Sequence, residues 1–344
     1  MVGMQHRALG DSGLQVSAIT FGNWLTGGRP EDAGDCIRAA LDAGITTFDT
    51  ADVYGAPEFG AGETVLGDAL AGRRREGLVI ATKVCLPTGP GRNDRGLSRK
   101  HITESVTASL RRLRTDHIDL YQAHRHDPST PLDETMAAFA DLHRHGKIGY
   151  LGVSEWTAAQ ITQAHALARE LRIPLVASQP QYSMLWRVID AEVTPACARL
   201  GISHMVFSPL AQGVLAGRYR PGRTAPDDSR AKHARGGRFV GRYISQAVLA
   251  AVERLRPIAV DHDATLAQLA LAWVLANPQV ASAIMGASRP AQIADNVKAL
   301  DLTLDDATMT RIDAALTDPE HGDLVERDPA KTAKPFDVMP AWRW

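Results

Sequence analysis

Short stretches rich in Val, Ile, Leu and Thr alternate with longer stretches of helical periodicity along most of this chain. The short stretches predict eight β-strands, at residues 16–20, 45–49, 78–83, 118–124, 149–154, 175–179, 205–208 and 280–285. The longer ones predict helices at 33–43, 99–114, 132–145, 158–171, 188–200, 245–261, 266–276 and 305–316. A strand followed by a helix, repeated without a break, specifies a parallel sheet covered by helices.

We therefore predict an α/β fold, a (β/α)8 TIM barrel in one domain of residues 1–344, with a core at about 5–316 and an irregular tail at 317–344. Residues 9–16 predict an N-terminal β-hairpin that plugs the barrel bottom. The helices at 245–261 and 305–316 are extra to the repeat. Residues 218–242 are rich in Gly, Pro, Arg and Asp without a period, which is typical of a long functional loop.

Nearly every predicted strand ends on a polar residue that is able to carry chemistry. These residues are Asp49, Lys83, His124, Ser154, Gln179 and Ser208. In a parallel barrel the carboxyl ends of the strands meet around one mouth, and active sites lie there. Packing of a core would not require polar side chains at these positions. The pattern therefore predicts an enzyme.

Composition narrows the class of protein. A formal net charge of -1 gives no electrostatic reason to expect nucleic acid or an acidic membrane surface as a partner. Cys36, Cys85 and Cys197 are odd in number and lack metal-ligand spacing, which favours a reducing, cytoplasmic compartment. Residues 1–7 lack the apolar run of a signal peptide. The most apolar window, 266–276, is about half the ~20 residues that span a bilayer.

Four of the polar residues fit the reduction of a carbonyl group. Hydride addition creates an alkoxide, so the site needs a proton donor and a group that stabilises the oxyanion. Tyr54 follows the strand that ends at Asp49, but a free phenol with a pKa of ~10 is a poor acid near neutrality. Lys83 would lower that pKa by favouring the phenolate, Asp49 would hold the ammonium, and His124 would donate a hydrogen bond to the carbonyl oxygen.

Several segments resemble the aldo-keto reductase superfamily in both order and spacing. They are residues 44–55, 62–63, 81–83, 117–124, 146–154, 208–211 and 286–292. The resemblance covers about residues 5–316 and is nearest to the bacterial reductases related to voltage-gated potassium channel β subunits. It implies that Asp49, Tyr54, Lys83 and His124 form the catalytic tetrad of the family, with Tyr54 as the acid.

The resemblance also implies a nicotinamide cofactor that lies extended over the barrel mouth. A Rossmann fingerprint is absent, since Gly60 and Gly62 lack the third small residue and do not follow a strand. Ser154 and Gln179 would hold the carboxamide, and Phe207 would stack on the nicotinamide ring. The pyrophosphate would lie along Ser208, Leu210, Gln212, Arg218 and Arg230. The adenosine end would contact Gly286, Ser288, Arg289, Gln292, Asp295 and Asn296.

Arg289 is the main sequence argument for NADPH over NAD. Many relatives carry Lys where this chain has Gly286, so Arg289, with Ser288 and Gln292, must supply the attraction for a 2′-phosphate. For the substrate, a small carbonyl compound, an apolar pocket is expected from four aromatic residues beside Tyr54, namely Trp24, Phe59, Trp156 and Trp186. Such aromatic walls favour a carbonyl compound that carries a flat or apolar group. The end of the tail, with Phe336, Trp342 and Trp344, would cover the site or contact a neighbouring subunit; a homo-oligomer is left open.

Two other functions compete with reduction. His124, His126 and Asp127 resemble the ligands of metal-dependent barrel hydrolases, although the other strand ends carry Lys83, Ser154 and Gln179 instead of further ligands. Alternatively, the chain binds NADPH as a regulatory or sensing subunit with slow turnover, as the channel-associated relatives do. Those relatives carry Asn where this chain has His124, which favours real turnover here.

Overall fold

Eight parallel strands close into a barrel in the computed structural model, which describes residues 3–24, 30–55, 58–227, 229–232 and 237–333. The barrel strands are β3 (Ile19–Gly22), β4 (Thr47–Asp49), β5 (Val79–Val84), β6 (Ile118–Ala123), β7 (Ile148–Ser154), β8 (Leu175–Gln179), β9 (Ser203–Phe207) and β10 (Val280–Met285). They are hydrogen-bonded in chain order, and β10 pairs with β3 to close the ring. The predicted TIM barrel is confirmed.

Helices follow the strands and surround the barrel. They are α1 (Pro30–Asp42), α2 (Ala61–Leu70), α3 (Arg99–Leu113), α4 (Leu132–Arg144), α5 (Ala158–Leu171), α6 (Val193–Arg199), α7 (Gly237–Val240), α8 (Gln246–Asp261), α9 (Leu266–Leu275), α10 (Pro290–Asn296) and α11 (Asp306–Ala315). Their starts follow from the sequence. Thr157 and Thr265 form capping boxes with Gln160 and Gln268, which satisfy amide groups that a helix terminus leaves unpaired.

An antiparallel hairpin of β1 (His6–Ala8) and β2 (Gln15–Ser17) closes the bottom of the barrel. Leu9 and Val16 are fully buried among apolar side chains of the barrel strands, including Val79 and Met205. The first predicted barrel strand, 16–20, was wrong in its boundaries, because it joins the end of β2 to the start of β3. The chain leaves the hairpin at Ser17, whose amide and hydroxyl pair with Thr47 in place of the barrel ladder.

Helices α8 and α11 confirm the two extra helices, whereas α2 and α10 were not predicted. Helix α2 contains two glycines, Gly62 and Gly67, and α10 is short, so neither shows a long helical period. Helix α6 begins later than the predicted 188, because residues 188–192 form turns. Segment 218–242, predicted as a long loop without a period, also contains short helical elements. It holds α7 and 3-10 turns at Arg230–Lys232 and Gly241–Tyr243, which are too short to leave a period.

The end of the described chain is mostly irregular, as predicted. It carries a two-stranded pair, β11 (Thr317–Asp318) and β12 (Gly322–Asp323), and a 3-10 turn at Pro329–Lys331. Phe336, Trp342 and Trp344 lie outside the described residues. Within the described ranges no single helix is long and apolar enough to cross a membrane; α8 and α9 reach that length only as a pair bent by 85°.

Candidate active site

A buried ion pair lies at the carboxyl ends of two neighbouring barrel strands. The Lys83 ammonium on β5 donates to Asp49 Oδ2 on β4 at 2.6 Å and to the Thr50 carbonyl at 2.7 Å. The Lys83 side chain has no exposed surface and that of Asp49 is 4% exposed. Burial is the largest single influence on the pKa of Lys83 and lowers it, but the charge of Asp49, the influence of Tyr54 and the hydrogen bonds to both together outweigh burial and raise this pKa. Lys83 is therefore a charged ammonium at neutral pH.

Two glutamines hold the other oxygen of Asp49. Gln179 Nε2 donates to Asp49 Oδ1 at 2.8 Å, and Gln122 Nε2 lies 3.4 Å from the same oxygen. Gln179 Nε2 also lies 3.3 Å from Gln122 Oε1. Because the carboxylate is held by amides from β6 and from β8, which lies opposite β4 in the barrel, its position is fixed from across the mouth. Gln122 points into the barrel from inside β6, and sequence reasoning missed it because only strand ends were considered.

Tyr54 lies beside this ion pair. Its hydroxyl is 3.3 Å from Lys83 Nζ, and the ammonium sits 4.9 Å from the centroid of its ring. Lys83 acts on the pKa of Tyr54 in the expected direction, but the net shift is upward. The charge of Lys83 does lower this pKa, but burial of the phenol is the larger effect and raises it. Tyr54 is therefore a protonated phenol, a state suited to donating a proton.

His124 faces Tyr54 across the mouth, with the two rings edge to face and their centroids 5.9 Å apart. Burial, together with the positive charges of Arg125 and Lys83, holds the pKa of His124 well below its usual range, so the ring is neutral. Its Nδ1 is buried without a hydrogen-bond partner. A buried lone pair left unpaired costs less than a buried N–H left unpaired, which favours a proton on Nε2.

Glu63, at the start of α2, connects Tyr54's loop to the strand that carries Lys83. Its carboxylate has no exposed surface, accepts a hydrogen bond from Thr82 Oγ1 at 2.6 Å and pairs with Arg112. Glu63 lies in one of the segments that resemble the aldo-keto reductases, but the sequence predicts no role for it. The signal that could have identified it is a charged residue on the apolar face of a short helix directly after the Tyr54 loop.

The segment after β9 forms one side of the mouth. Ser208 and Gln212 have positive φ angles of 55° and 62°, and Gln212 Nε2 donates to Ser208 Oγ at 2.6 Å. Arg230 in turn donates to Gln212 Oε1. Burial lowers the pKa of Arg230 to about 10, and the like charge of Arg218 acts in the same direction. Two guanidinium groups that repel each other would be stabilised by a bound pyrophosphate, so these residues fit that part of a dinucleotide.

The other predicted cofactor residues line the same rim. Ser154, at the end of β7, donates to the Gln179 carbonyl at 2.9 Å, and Phe207 and Leu210 are partly exposed around the end of β9. After β10, Gly286, Ser288 and Arg289 are exposed, and Gln292 Oε1 accepts from the Ser288 and Arg289 amides. Asp295 instead accepts from Gln268, and Asn296 contacts Met285, so both already have partners within the protein.

The predicted pocket aromatics are placed differently from one another. Trp24 is 36% exposed at the mouth, in contact with Phe239 at 5.3 Å between ring centroids. Phe59 packs beside Tyr54 against a small apolar cluster. Trp156 is 1% exposed and packs edge to face against His126. It therefore lies behind the predicted pocket and does not line its surface. Trp186 is also buried, under the guanidinium of Arg242.

The ligand set of a metallohydrolase is not assembled. His126 contacts Trp156, and the Asp127 carboxylate accepts hydrogen bonds from Ser129, Thr130 and the Leu97 amide. Within the described ranges, no group of three or more His, Cys, Asp or Glu side chains is placed to hold a metal ion. The geometry gives the hydrolase hypothesis no support.

Comparison with known proteins agrees with this geometry. A sequence model described as "Aldo/keto reductase family" matches residues 18–317. A "Probable voltage-gated potassium channel subunit beta" of Arabidopsis thaliana is 43% identical over 307 residues, which cover 87% of this chain and 92% of the relative. Its counterpart of the same name in Oryza sativa subsp. japonica is 40% identical over 307 residues, with the same coverage.

An "L-glyceraldehyde 3-phosphate reductase" of Escherichia coli (strain K12) is 35% identical over 328 residues, which cover 92% of this chain and 94% of the relative. These matches extend over nearly the whole described barrel, including every strand end at the mouth. They confirm the resemblance drawn from the sequence. This chain belongs to the aldo/keto reductase family and is an oxidoreductase.

Proposed function

We propose that this protein reduces an aldehyde or ketone to an alcohol with NADPH, and that Tyr54 is the general acid. The observation that carries the proposal is the position of Lys83 Nζ, which lies 2.6 Å from Asp49 and 3.3 Å from the Tyr54 hydroxyl at the barrel mouth. A proton donor, a fixed cation and a neutral imidazole converge there. That combination is what an alkoxide forming from a carbonyl group requires.

Each residue has a distinct task in this proposal. NADPH, when bound, supplies the hydride. Tyr54 gives its proton to the oxygen as negative charge develops there. The phenolate that remains is stabilised by the Lys83 ammonium, whose protonated state Asp49 maintains. His124 donates an Nε2–H hydrogen bond to the same oxygen, which orients the carbonyl and shares its charge.

The cofactor proposal rests on the rim residues. Ser154 and Gln179 would hold the carboxamide, and Phe207 would stack on the ring. Ser208, Gln212, Arg218 and Arg230 would hold the pyrophosphate. Arg289 and Ser288 are exposed after β10, where they are able to meet a 2′-phosphate, which is why NADPH is preferred to NADH.

The three cysteines are buried thiols without disulfides, in agreement with a reducing compartment such as the cytoplasm.

The names of the relatives suggest two activities. One is called a reductase of a phosphorylated aldehyde, which agrees with reduction of a small carbonyl compound. Others are called channel β subunits, which favours the second candidate function, an NADPH-binding regulatory subunit. The complete set of Asp49, Tyr54, Lys83 and His124 argues for turnover, since binding of a nucleotide alone does not need a proton donor beside a lysine.

Oxidation of NADPH against a panel of aldehydes, ketones and keto-sugars tests the proposal. Tyr54→Phe removes only the hydroxyl, so carbonyl reduction should fall by on the order of 10²–10⁴-fold while NADPH affinity stays within a few-fold. Affinity is measured by fluorescence titration and turnover by absorbance. Most of the activity surviving in Tyr54→Phe would remove Tyr54 from its role. Tight NADPH binding without turnover on any carbonyl would instead favour the regulatory function.

A further inference from the structure

Arg125 follows His124 directly and places a guanidinium group at the barrel mouth. Its side chain is buried, with 6% of the residue exposed. Nη1 donates to the His124 carbonyl and lies 3.4 Å from Ser154 Oγ. The group therefore lies between the ends of β6 and β7, next to the proposed hydrogen-bond donor and the proposed carboxamide site. Neither the tetrad nor the proposed cofactor contacts use it.

Among the described residues, the charge of Arg125 has no counter-ion. In the part of the chain that the structure describes, no carboxylate forms an ion pair with its guanidinium, and its Nε is buried without a hydrogen-bond partner. The nearby Asp127 is occupied by Ser129, Thr130 and the Leu97 amide. By contrast, the equally buried Arg187 pairs with Asp313 at 2.7 Å.

A buried cation without a counter-ion is costly, because its hydration is lost and no opposite charge replaces it. A guanidinium group keeps its charge in proteins, so this cost is not avoided by neutralisation. Such a group is retained in a folded protein where a ligand supplies the missing charge. Arg125 therefore has the features of a binding residue whose partner comes from outside the chain.

The field of Arg125 reaches the reacting groups. Its charge contributes to lowering the pKa of His124 and opposes the rise in the pKa of Tyr54 caused by burial. The geometry agrees, because Nη1 of Arg125 donates to the main-chain carbonyl of His124 and lies 3.4 Å from Ser154 Oγ at the end of the next strand. A substrate held by Tyr54 and His124 thus has its neighbouring atoms close to Arg125.

We propose that Arg125 binds an anionic group of the carbonyl substrate, so that the preferred substrates are short aldehydes or ketones with a carboxylate or phosphate near the carbonyl. This deepens the proposed reduction and rests on it. The planar fork of guanidinium N–H groups suits the oxygens of both anions, and the desolvated setting strengthens each hydrogen bond. The predicted aromatic wall, from Trp24 and Phe59, would then border the remaining side of the substrate.

The test compares matched substrates in wild type, Arg125→Met and Arg125→Lys. Glyoxylate is paired with its methyl ester, and glyceraldehyde 3-phosphate with glyceraldehyde. Wild type should prefer the anionic member of at least one pair. A preference for glyoxylate identifies a carboxylate as the bound group, and a preference for glyceraldehyde 3-phosphate identifies a phosphate. Arg125→Met should lower kcat/KM for that anion by about 10- to 100-fold and for its neutral partner by less than about 3-fold. The kcat/KM of Arg125→Lys for the anion should lie between the values for wild type and Arg125→Met.

A control and a separate readout keep the outcomes distinct. Lys147→Met removes one exposed charge before β7, at the opposite end of the barrel. In both substrate pairs it should leave the ratio of kcat/KM for the anionic member to kcat/KM for the neutral member unchanged. Thermal unfolding of Arg125→Met should occur no lower than in wild type, because an apolar side chain replaces an unpaired charge. Equal losses for anionic and neutral substrates, or no anionic preference in wild type, would overturn the anion site.

Failure of the proposed reduction would be recognised separately. If no carbonyl is turned over, calorimetric titration of glyoxylate and inorganic phosphate into the NADPH-bound protein still tests Arg125. Binding that disappears in Arg125→Met supports the anion site without catalysis. Binding that is unchanged in Arg125→Met, or absent in wild type, overturns it.

Discussion

A fully buried lysine is tolerated in this barrel because its ammonium is surrounded by acceptors. Lys83 donates to Asp49, to the Thr50 carbonyl and towards the Tyr54 hydroxyl, so each of its three N–H groups has a partner. Removal of Asp49 would leave a buried charge without compensation, which typically costs about 3–5 kcal/mol. The ion pair therefore has two roles, one in the fold and one in the proposed chemistry. A substitution of Tyr54 tests the second role without removing the ion pair.

Arg289 gives a prediction for cofactor choice. Arg289→Ala should weaken NADPH by about 1–2 kcal/mol, since one charged hydrogen bond to the 2′-phosphate is lost from an exposed side chain. NADH lacks that phosphate and serves as the internal control, so its affinity should barely change. Dissociation constants from fluorescence titration measure both. Equal weakening of NADPH and NADH would show that Arg289 does not read the 2′-phosphate.

At this scale the sequence indicated the tetrad but not the residues around it. Asp49, Lys83 and His124 stand at strand ends, where barrel geometry brings side chains together. Glu63 and Gln122 act through contacts that connect distant parts of the chain, to Arg112 and to Asp49 respectively. The sequence predicts no role for Arg125, because its burial and the lack of a carboxylate partner among the described residues depend on the three-dimensional packing.

At the scale of elements, α2 depends on a close approach to the neighbouring helix. A Cβ added at Gly67 would lie 2.4 Å from the Arg112 carbonyl oxygen and 2.9 Å from the Leu113 backbone. These neighbours are main-chain atoms that cannot move aside by changing rotamer. Glycine therefore sets the distance between α2 and α3, and with it the position of Glu63 against Thr82.

Gly67→Ala should destabilise the protein although alanine is the better helix former. The gain in helix propensity is about 1 kcal/mol, whereas overpacking against backbone costs roughly 1–3 kcal/mol. Gly77→Ala is the matched control, because a Cβ there meets nothing within 4 Å and should leave stability within about 0.5 kcal/mol. Urea denaturation followed by circular dichroism measures both. A more stable Gly67→Ala would mean that the two helices separate at little cost.

The elements that the sequence missed share a physical cause. Helix α2 carries glycines demanded by packing, and the break between β2 and β3 occurs inside one apolar run at Ser17. The local pattern of apolar and polar residues contains no information on a contact with a distant backbone. It also does not show where a side-chain hydroxyl replaces a main-chain hydrogen bond between strands. By contrast, α5, β8 and β10 agree with their predicted boundaries, because each is long or regular enough for its period to determine it.

At the scale of the whole molecule, segment 218–242 connects two sides of the barrel mouth. The segment follows β9, yet its Arg230 lies 5.5 Å above the ring of Trp24 and its Phe239 contacts the same ring. Trp24 follows β3, and β10 lies between β9 and β3 in the barrel. Described parts of the segment thus reach from the end of β9 to the end of β3, on either side of β10, after which the residues proposed for the adenosine end begin.

This bridge predicts that cofactor exchange depends on the segment. NADPH should order residues 218–242, since its phosphates would neutralise the repulsion between Arg218 and Arg230, and release should then require the segment to open. Hydrogen exchange in these residues should slow with NADPH, while exchange in α3 stays unchanged as an internal control. NADPH deuterated at the transferred position should give a small isotope effect on steady-state turnover, because release is slower than reduction. A full isotope effect would show that the chemical step limits the rate, and unchanged exchange would show that the segment does not respond to the cofactor.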